Sequence, residues 1–128
     1  MTDINISIYV GELFDRYSIL LIKQNKIIDK DKIEFINREI ESLQKYVLKY
    51  DLINNDNFKE LININKKLWN IEDNIRLKEK NNQFDEEFIN LARNVYINND
   101  ERAHIKLNIN NQYSSYYREI KNYNNYNN

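Results

Sequence analysis

The chain of 128 residues has no cysteine, no proline, a single glycine and a single histidine. Without cysteine there is no disulfide, no thiolate metal site and no thiol nucleophile. One glycine, Gly11, cannot build a glycine-rich phosphate loop. The serines Ser18, Ser42, Ser114 and Ser115 sit in no nucleophile-elbow motif. His104 has no carboxylate pair at metal spacing and is expected to be a surface or packing residue. The longest apolar run, Ile19 to Ile22, is far too short to span a bilayer. Residues 1–5 carry no basic region ahead of an apolar stretch, so no signal peptide is expected there and the cytoplasm is the expected location.

Charge of one sign is missing as well. Lys plus Arg total 19 against 20 Asp plus Glu, for a net charge of -1. Nucleic-acid binders concentrate unbalanced Lys and Arg on one face, whereas Lys30/Lys32 and Lys66/Lys67 are interleaved with acidic residues, which argues against a nucleic-acid partner. Asn, Ile, Lys and Tyr are over-used. Their codons are rich in A and T, as those of Gly and Pro are not, which points to an AT-rich bacterial, phage or viral genome and discounts many surface asparagines as binding residues.

What is present is helical periodicity. Hydrophobic residues make up 41% and charged residues 30%, the balance of a soluble globular chain. Leu61, Ile64, Leu68, Ile71 and Ile75 recur at spacings of three and four, the core stripe of a packed helix. Ile33, Ile36, Ile40, Leu43, Val47 and Tyr50 repeat the pattern, and Leu13, Phe14, Tyr17, Leu20, Leu21, Ile27 and Ile28 mark an earlier helix over 10–29. Asp31–Glu34 and Asn57–Glu60 read as capping boxes. Asn81-Asn82 ends the third helix, Phe84, Phe88, Leu91 and Val95 mark a fourth, and Asn98-Asn99-Asp100 is predicted to turn the chain into a fifth with Ile105, Ile109, Tyr116 and Ile120. With proline absent, Asn and Asp clusters do the punctuating. The expectation is one all-α domain: an antiparallel bundle of four to five helices over 10–122, an extended N-terminal arm over 1–9 lying on the bundle, and a frayed polar tail over 123–128.

Beside the core stripe of the third helix runs a second, Asn65, Trp69, Glu72, Arg76 and Glu79. A tryptophan among carboxylates and a guanidinium suits the margin of a core. Glu72, Asp73 and Glu79 all lie three or four residues from Arg76, so a surface ladder contributing about 0.2–0.5 kcal/mol per pair is the simpler reading. The sharper one is a partly buried network that aims Arg76 at a carboxylate, a phosphate or another helix. Glu12 and Asp15 open the first helix, where acidic residues complement the dipole. They are also spaced to share a Mg²⁺, although only half of the paired acidic motif of all-helical nucleotide pyrophosphohydrolases is present. Arg93, Tyr96, Asn99, Arg102 and Lys106 surround the predicted turn, a candidate anion site at a helix N-terminus whose amides Asp100 or Asn99 is placed to cap.

Four stretches together resemble a family of small helical bacterial and phage proteins of unknown function. They are Gly11-Glu12-Leu13-x-Asp15-x-x-x-Ile19-Leu20-x-x-Lys23; Leu68-Trp69-x-Ile71-Glu72-Asp73-x-x-Arg76-x-x-Glu79; Phe84-Asp85-x-x-Phe88-Ile89-x-Leu91-Ala92-Arg93-x-Val95-Tyr96; and Asn99-Asp100-x-Arg102-Ala103-x-x-Lys106-x-x-Ile109-Asn110. Two departures stand out: Tyr9-Val10 replaces a small polar residue, and Ser114-Ser115 stands where the family has Gly-Ser. The resemblance raises Glu12, Asp15, Trp69, Glu72, Asp73, Arg76, Arg93, Asn99, Asp100 and Arg102 above the other polar residues, and implies a link to sugar-nucleotide or glycan metabolism.

No catalytic residue, resident metal or cofactor follows from the sequence. The leading expectation is a non-enzymatic interaction module, self-associating or docking on another protein. The rival is a site for a phosphorylated or sugar-nucleotide ligand, with Arg76, Arg93, Arg102 and Lys106 for the anion and Glu12, Asp15, Glu72 or Glu79 for Mg²⁺ or proton transfer. A concave pocket where the first, third and fourth helices converge would favour the rival.

Overall fold

The computed structural model describes residues 2–113, and among them it is all α. Four helices follow one another: α1 (Val10–Lys26), α2 (Lys30–Lys49), α3 (Asp56–Lys80) and α4 (Glu86–Gln112), with a 3₁₀ turn at Leu52–Asn54 between α2 and α3. The predicted frayed tail and the positions of Tyr116 and Ile120 lie outside the described residues.

The helix ends are set by asparagine and aspartate. Asp29 caps α2 by accepting from the amides of Asp31 and Lys32. Asn55 caps α3 and Asp85 caps α4, each through the amide three residues on. The caps of α2 and α3 thus lie two residues before the expected capping boxes, and α1 ends at Lys26 rather than Asp29. The end of α3 is a Schellman motif. The Gln83 amide donates to the Lys78 carbonyl and the Asn82 amide to that of Glu79, with Asn82 left-handed at φ 52°. Asparagine is the next best residue to glycine for that position.

The expected turn at Asn98–Asp100 is absent, and α4 runs through it without a break. Leu91, Val95, Asn98, Arg102, Ile105 and Ile109 form one uninterrupted three-four stripe, in which two positions happen to be polar. The asparagines do not compete with the helix. The Asn98 amide donates to the Asn94 carbonyl, and Asn99 Oδ1 lies 3.5 Å from Arg102. The anion site at a fifth helix's N-terminus therefore does not exist.

α1 is the centre of the molecule. Leu13, Phe14, Tyr17 and Leu20 enter an apolar core with Ile36, Ile40 and Val47 of α2, Leu52, Phe58, Leu61 and Ile64 around the start of α3, and Ile105 and Ile109 of α4. Phe14 meets the ring edges of Phe58 and Tyr113. A second stripe on α1, Gly11, Asp15, Ser18 and Ile22, is also buried. α2 packs antiparallel to α1, with Gln24 bonded to Asn37 and Gln44 to Tyr17.

α3 and α4, 25 and 27 residues long, form an antiparallel hairpin reaching well past the end of α1. Its turn is clamped by Lys78, whose ammonium donates to Asp85 and Glu87 at 3.0 Å each. Between Asn65 and Ile105 no residue is buried. The N-terminal arm does not lie down as expected: Ile4 and Ile6 are 82% and 75% exposed. No helix among the described residues is long and apolar enough to cross a membrane.

Candidate functional site

The second buried stripe of α1 meets α3 and α4 in a polar cluster. Gly11 crosses α4 so closely that its amide donates to Asn110 Oδ1 at 2.6 Å. A Cβ there would sit 2.6 Å from the Lys106 carbonyl oxygen and 2.7 Å from Asn110 Oδ1. The lone glycine is thus required by contact rather than by a special backbone angle. One turn on, the Asp15 carboxylate is almost wholly buried. Arg102 grips it in the two-pronged manner of a guanidinium on a carboxylate, Nε to Oδ1 at 2.9 Å and Nη2 to Oδ2. Asn65 donates both to Asp15 Oδ1 at 2.9 Å and to the buried Ser18 hydroxyl at 2.7 Å, while Ser18 donates to the Asp15 carbonyl.

Lys106 completes the cluster. Its ammonium donates to Glu12 at 3.2 Å and lies 3.8 Å from Asp15, and Tyr9 donates its hydroxyl to the same Glu12 carboxylate. Burial alone pushes the Lys106 pKa down, but the charges of Asp15 and Glu12 and the Glu12 hydrogen bond more than offset it, and the net shift is upward. Two carboxylates and two cations therefore neutralise one another inside the protein. Such groups cost several kcal/mol each to desolvate, and apolar residues of similar volume often give equal or better stability. A cluster of this kind is weak evidence for stability and better evidence for a specific local geometry.

Directly beside it opens a groove of about 510 Å³, within the ~300–1,000 Å³ span of small-molecule sites. Ile19 and Ile22 of α1 and Leu68 and Trp69 of α3 supply an apolar wall. Asn65 and Arg102 reach it from the cluster, and Glu72, Asp73, Arg76 and Asn99 stand on the rim. The groove lies where α1 ends and the hairpin runs on alone.

Of the residues singled out from the sequence, Trp69, Glu72, Asp73, Arg76, Asn99 and Arg102 share this groove. Glu12, Asp15 and Lys106 lie behind it in the cluster. Arg93 is exposed on α4 and lines none of it, and Asp100 caps nothing. Arg76 is not the hub of a buried network: its side chain is 80% exposed, and its pairing with Glu72 is 3.8 Å long. The cation held at the centre is Arg102, well inside α4. Ser18, Asn110 and Gly11 carry the cluster although the sequence gave them no role in a site, and Asn65, read only as the start of the polar stripe on the third helix, joins them. For Gly11 and Ser18 the signal was the 11-15-18-22 spacing on α1, core periodicity with three non-hydrophobic positions.

Among the described residues no three acidic or histidine groups gather as a metal cage. Glu12 and Asp15 face Lys106 and Arg102, so the charge a Mg²⁺ would supply is already present. Glu72 and Asp73 are the carboxylates turned to the groove, and His104 is exposed elsewhere on α4. The arrangement can hold a molecule against an apolar wall with directed polar contacts.

The fold and groove define a small helical protein with a polar-floored cleft. The chain belongs to the family of unknown function DUF6165, whose model matches residues 4–127. No curated protein and no solved structure matches it.

Proposed function

We propose that this protein binds a small molecule in the groove between α1, α3 and α4, on a floor fixed by the Asp15–Arg102–Asn65 cluster. The observation that carries the reading is convergence: residues from three helices, far apart in sequence, meet in one concave space with an apolar wall and a few directed polar groups, the usual make-up of a ligand site. The sequence alone favoured an interaction module. The three-four stripes that motivated it are consumed inside the chain, where Leu61 and Ile64 are buried and Leu68, Ile71 and Ile75 half-buried. The charged groups of the floor neutralise one another, which suits holding a ligand rather than transforming it.

The test is a thermal-shift screen with nucleotides, sugar nucleotides and simple phosphates, each with and without Mg²⁺. A ligand at 100 times its Kd adds about 2.7 kcal/mol, enough to move Tm by several degrees. A saturable shift lost in Trp69→Ala, with that variant still folded, is the expected result. A flat screen would remove the support. The outer hairpin favours a second reading, contact with a second copy of the chain, because Leu77, Phe84 and Ile89 are each more than half exposed there. Sedimentation across a hundredfold concentration range tests it: a constant monomer mass sinks it.

A further inference from the structure

The groove's charges and wall narrow its ligand, on the assumption that the groove binds one at all. Among the described residues its one aromatic ring is that of Trp69, the single tryptophan of the chain, next to Leu68, Ile19 and Ile22. Such a wall favours a flat apolar body over a bare ion or an open polyol, because stacking and apolar burial supply most of its contact energy.

The cations of the region are not equivalent. Arg102 has one edge committed to Asp15, and Lys106 sits behind on Glu12 and Asp15. Both are balanced by the carboxylates they touch. Arg76, in contrast, stands on the rim and is exposed. Its pairing with Glu72 is too long for a good hydrogen bond, so little is lost when it turns to a better partner. A guanidinium binds carboxylate or phosphate oxygens through two parallel N–H bonds. Glu72 and Asp73 stand beside it on the same helix. With Asp15 and Arg102 cancelling, the lining carries two negative charges against the one positive charge of Arg76. A ligand with several charged groups would bring the others against Glu72 and Asp73, whereas a single anionic group can take the two-pronged place on Arg76 that Glu72, 3.8 Å away, does not fill.

We propose that the ligand is a ring-bearing small molecule with a single anionic group, carboxylate or phosphate monoester, its ring on Trp69 and Leu68 and its anion on Arg76. Asn99, on the facing helix α4, is placed to choose among polar substituents on the ring's far side.

Trp69 makes the test direct, because a single tryptophan gives one indole N–H signal in a nitrogen-15 correlation spectrum. The full chain would be titrated with benzoate, phenyl phosphate, benzyl alcohol, inorganic phosphate and adenosine diphosphate. Benzoate or phenyl phosphate is expected to move that signal saturably, at least tenfold more tightly than benzyl alcohol or inorganic phosphate and more tightly than adenosine diphosphate. The difference between the first two tells carboxylate from phosphate. Arg76→Ala is expected to weaken the better probe tenfold or more with the rest of the spectrum unchanged, and Glu72→Gln to tighten it severalfold by removing a negative charge beside the anion. Equal binding of benzyl alcohol, tightest binding of adenosine diphosphate, or indifference to Arg76→Ala would overturn the ligand class. If only an unrelated compound from the broader screen moves Trp69, the class is wrong and the groove reading stands. If nothing moves Trp69, both fall.

Discussion

The two halves of the α3–α4 hairpin are built from the same helices and held by opposite means. In the inner half, Phe58, Leu61, Ile64 and Asn65 of α3 and Ile105, Lys106, Ile109 and Asn110 of α4 are all buried, wedged against α1. In the outer half, no position from 66 to 104 is buried, and the turn is closed by a Schellman motif and the Lys78 clamp. The difference is α1. It ends near the level of Asn70, as the cleft lined by Lys26 and Asn70 shows, and beyond it two helices face water on nearly every side. A pair of short helices in water is marginal without a third surface to cover it. The candidate site sits on the boundary between these regimes, its floor in the buried half and its rim, Trp69 to Arg76, on the exposed one. That placement gives a buried base with exposed side chains above it, and predicts a slow-exchanging base.

Substitutions can break or sharpen the contrast. The largest effect is expected from Asp15→Ala, which takes the buried carboxylate away from Arg102 and Lys106 and should cost about 3–5 kcal/mol in denaturant unfolding. Gly11→Ala comes next. Its methyl group meets a backbone carbonyl that cannot step aside, and overpacking of this kind costs about 1–3 kcal/mol, partly offset by the better helix propensity of alanine. Arg76→Ala, in the outer half, should change stability by less than about 1 kcal/mol, because exposed pairs contribute little. A loss of several kcal/mol there would mean that the ladder is a structural hub after all.

The smallest effect is expected at the hairpin turn and depends on pH. Backbone donation from Phe88, and then Lys78, lowers the Asp85 pKa below its usual 3.8. The native state therefore prefers the ionised form, so this contribution is complete above pH 3.8 and is lost as pH falls through the lower, folded value. Hydrogen bonds to Asp85 and Glu87 raise the Lys78 pKa above 10.5, so its contribution is complete below that pH and lost as pH rises through the folded value. Amide exchange at the turn, compared at equal intrinsic rates, should show opening at both extremes in the wild type and less pH dependence in Lys78→Met. Equal pH dependence in the two proteins would contradict the clamp.

The inner and outer halves were also unequally legible in the sequence. The apolar stripes located α1, α2 and α3 well, because periodicity reports burial. The Asn81-Asn82 stop was readable because Asn tolerates the left-handed conformation that a Schellman motif requires. The false turn at Asn98–Asp100 came from applying the same chemistry where the stripe continues. Asn98 and Arg102 hold core-facing positions, and the continuity of Leu91, Val95, Ile105 and Ile109 outweighed local preference. The rim of the candidate site was legible because Trp69 is out of place on a solvated face. Its floor was not, since the pairing of Asp15 with Arg102 joins residues 87 apart, and no local pattern encodes such a contact. Arg76 looked like the hub because its carboxylates are neighbours in sequence, and that same locality leaves it on the surface.

Hydrogen exchange resolved along the chain tests this division most directly. Slow exchange is expected for Gly11–Ile22, Phe58–Asn65 and Ile105–Asn110, with protection stepping down after Asn65 on α3 and before Ile105 on α4, and the fastest helical amides in the outer hairpin. Protection that is uniform from Phe58 through Asn110 would contradict the account, since the groove would then not lie on a boundary between a fixed and a mobile half.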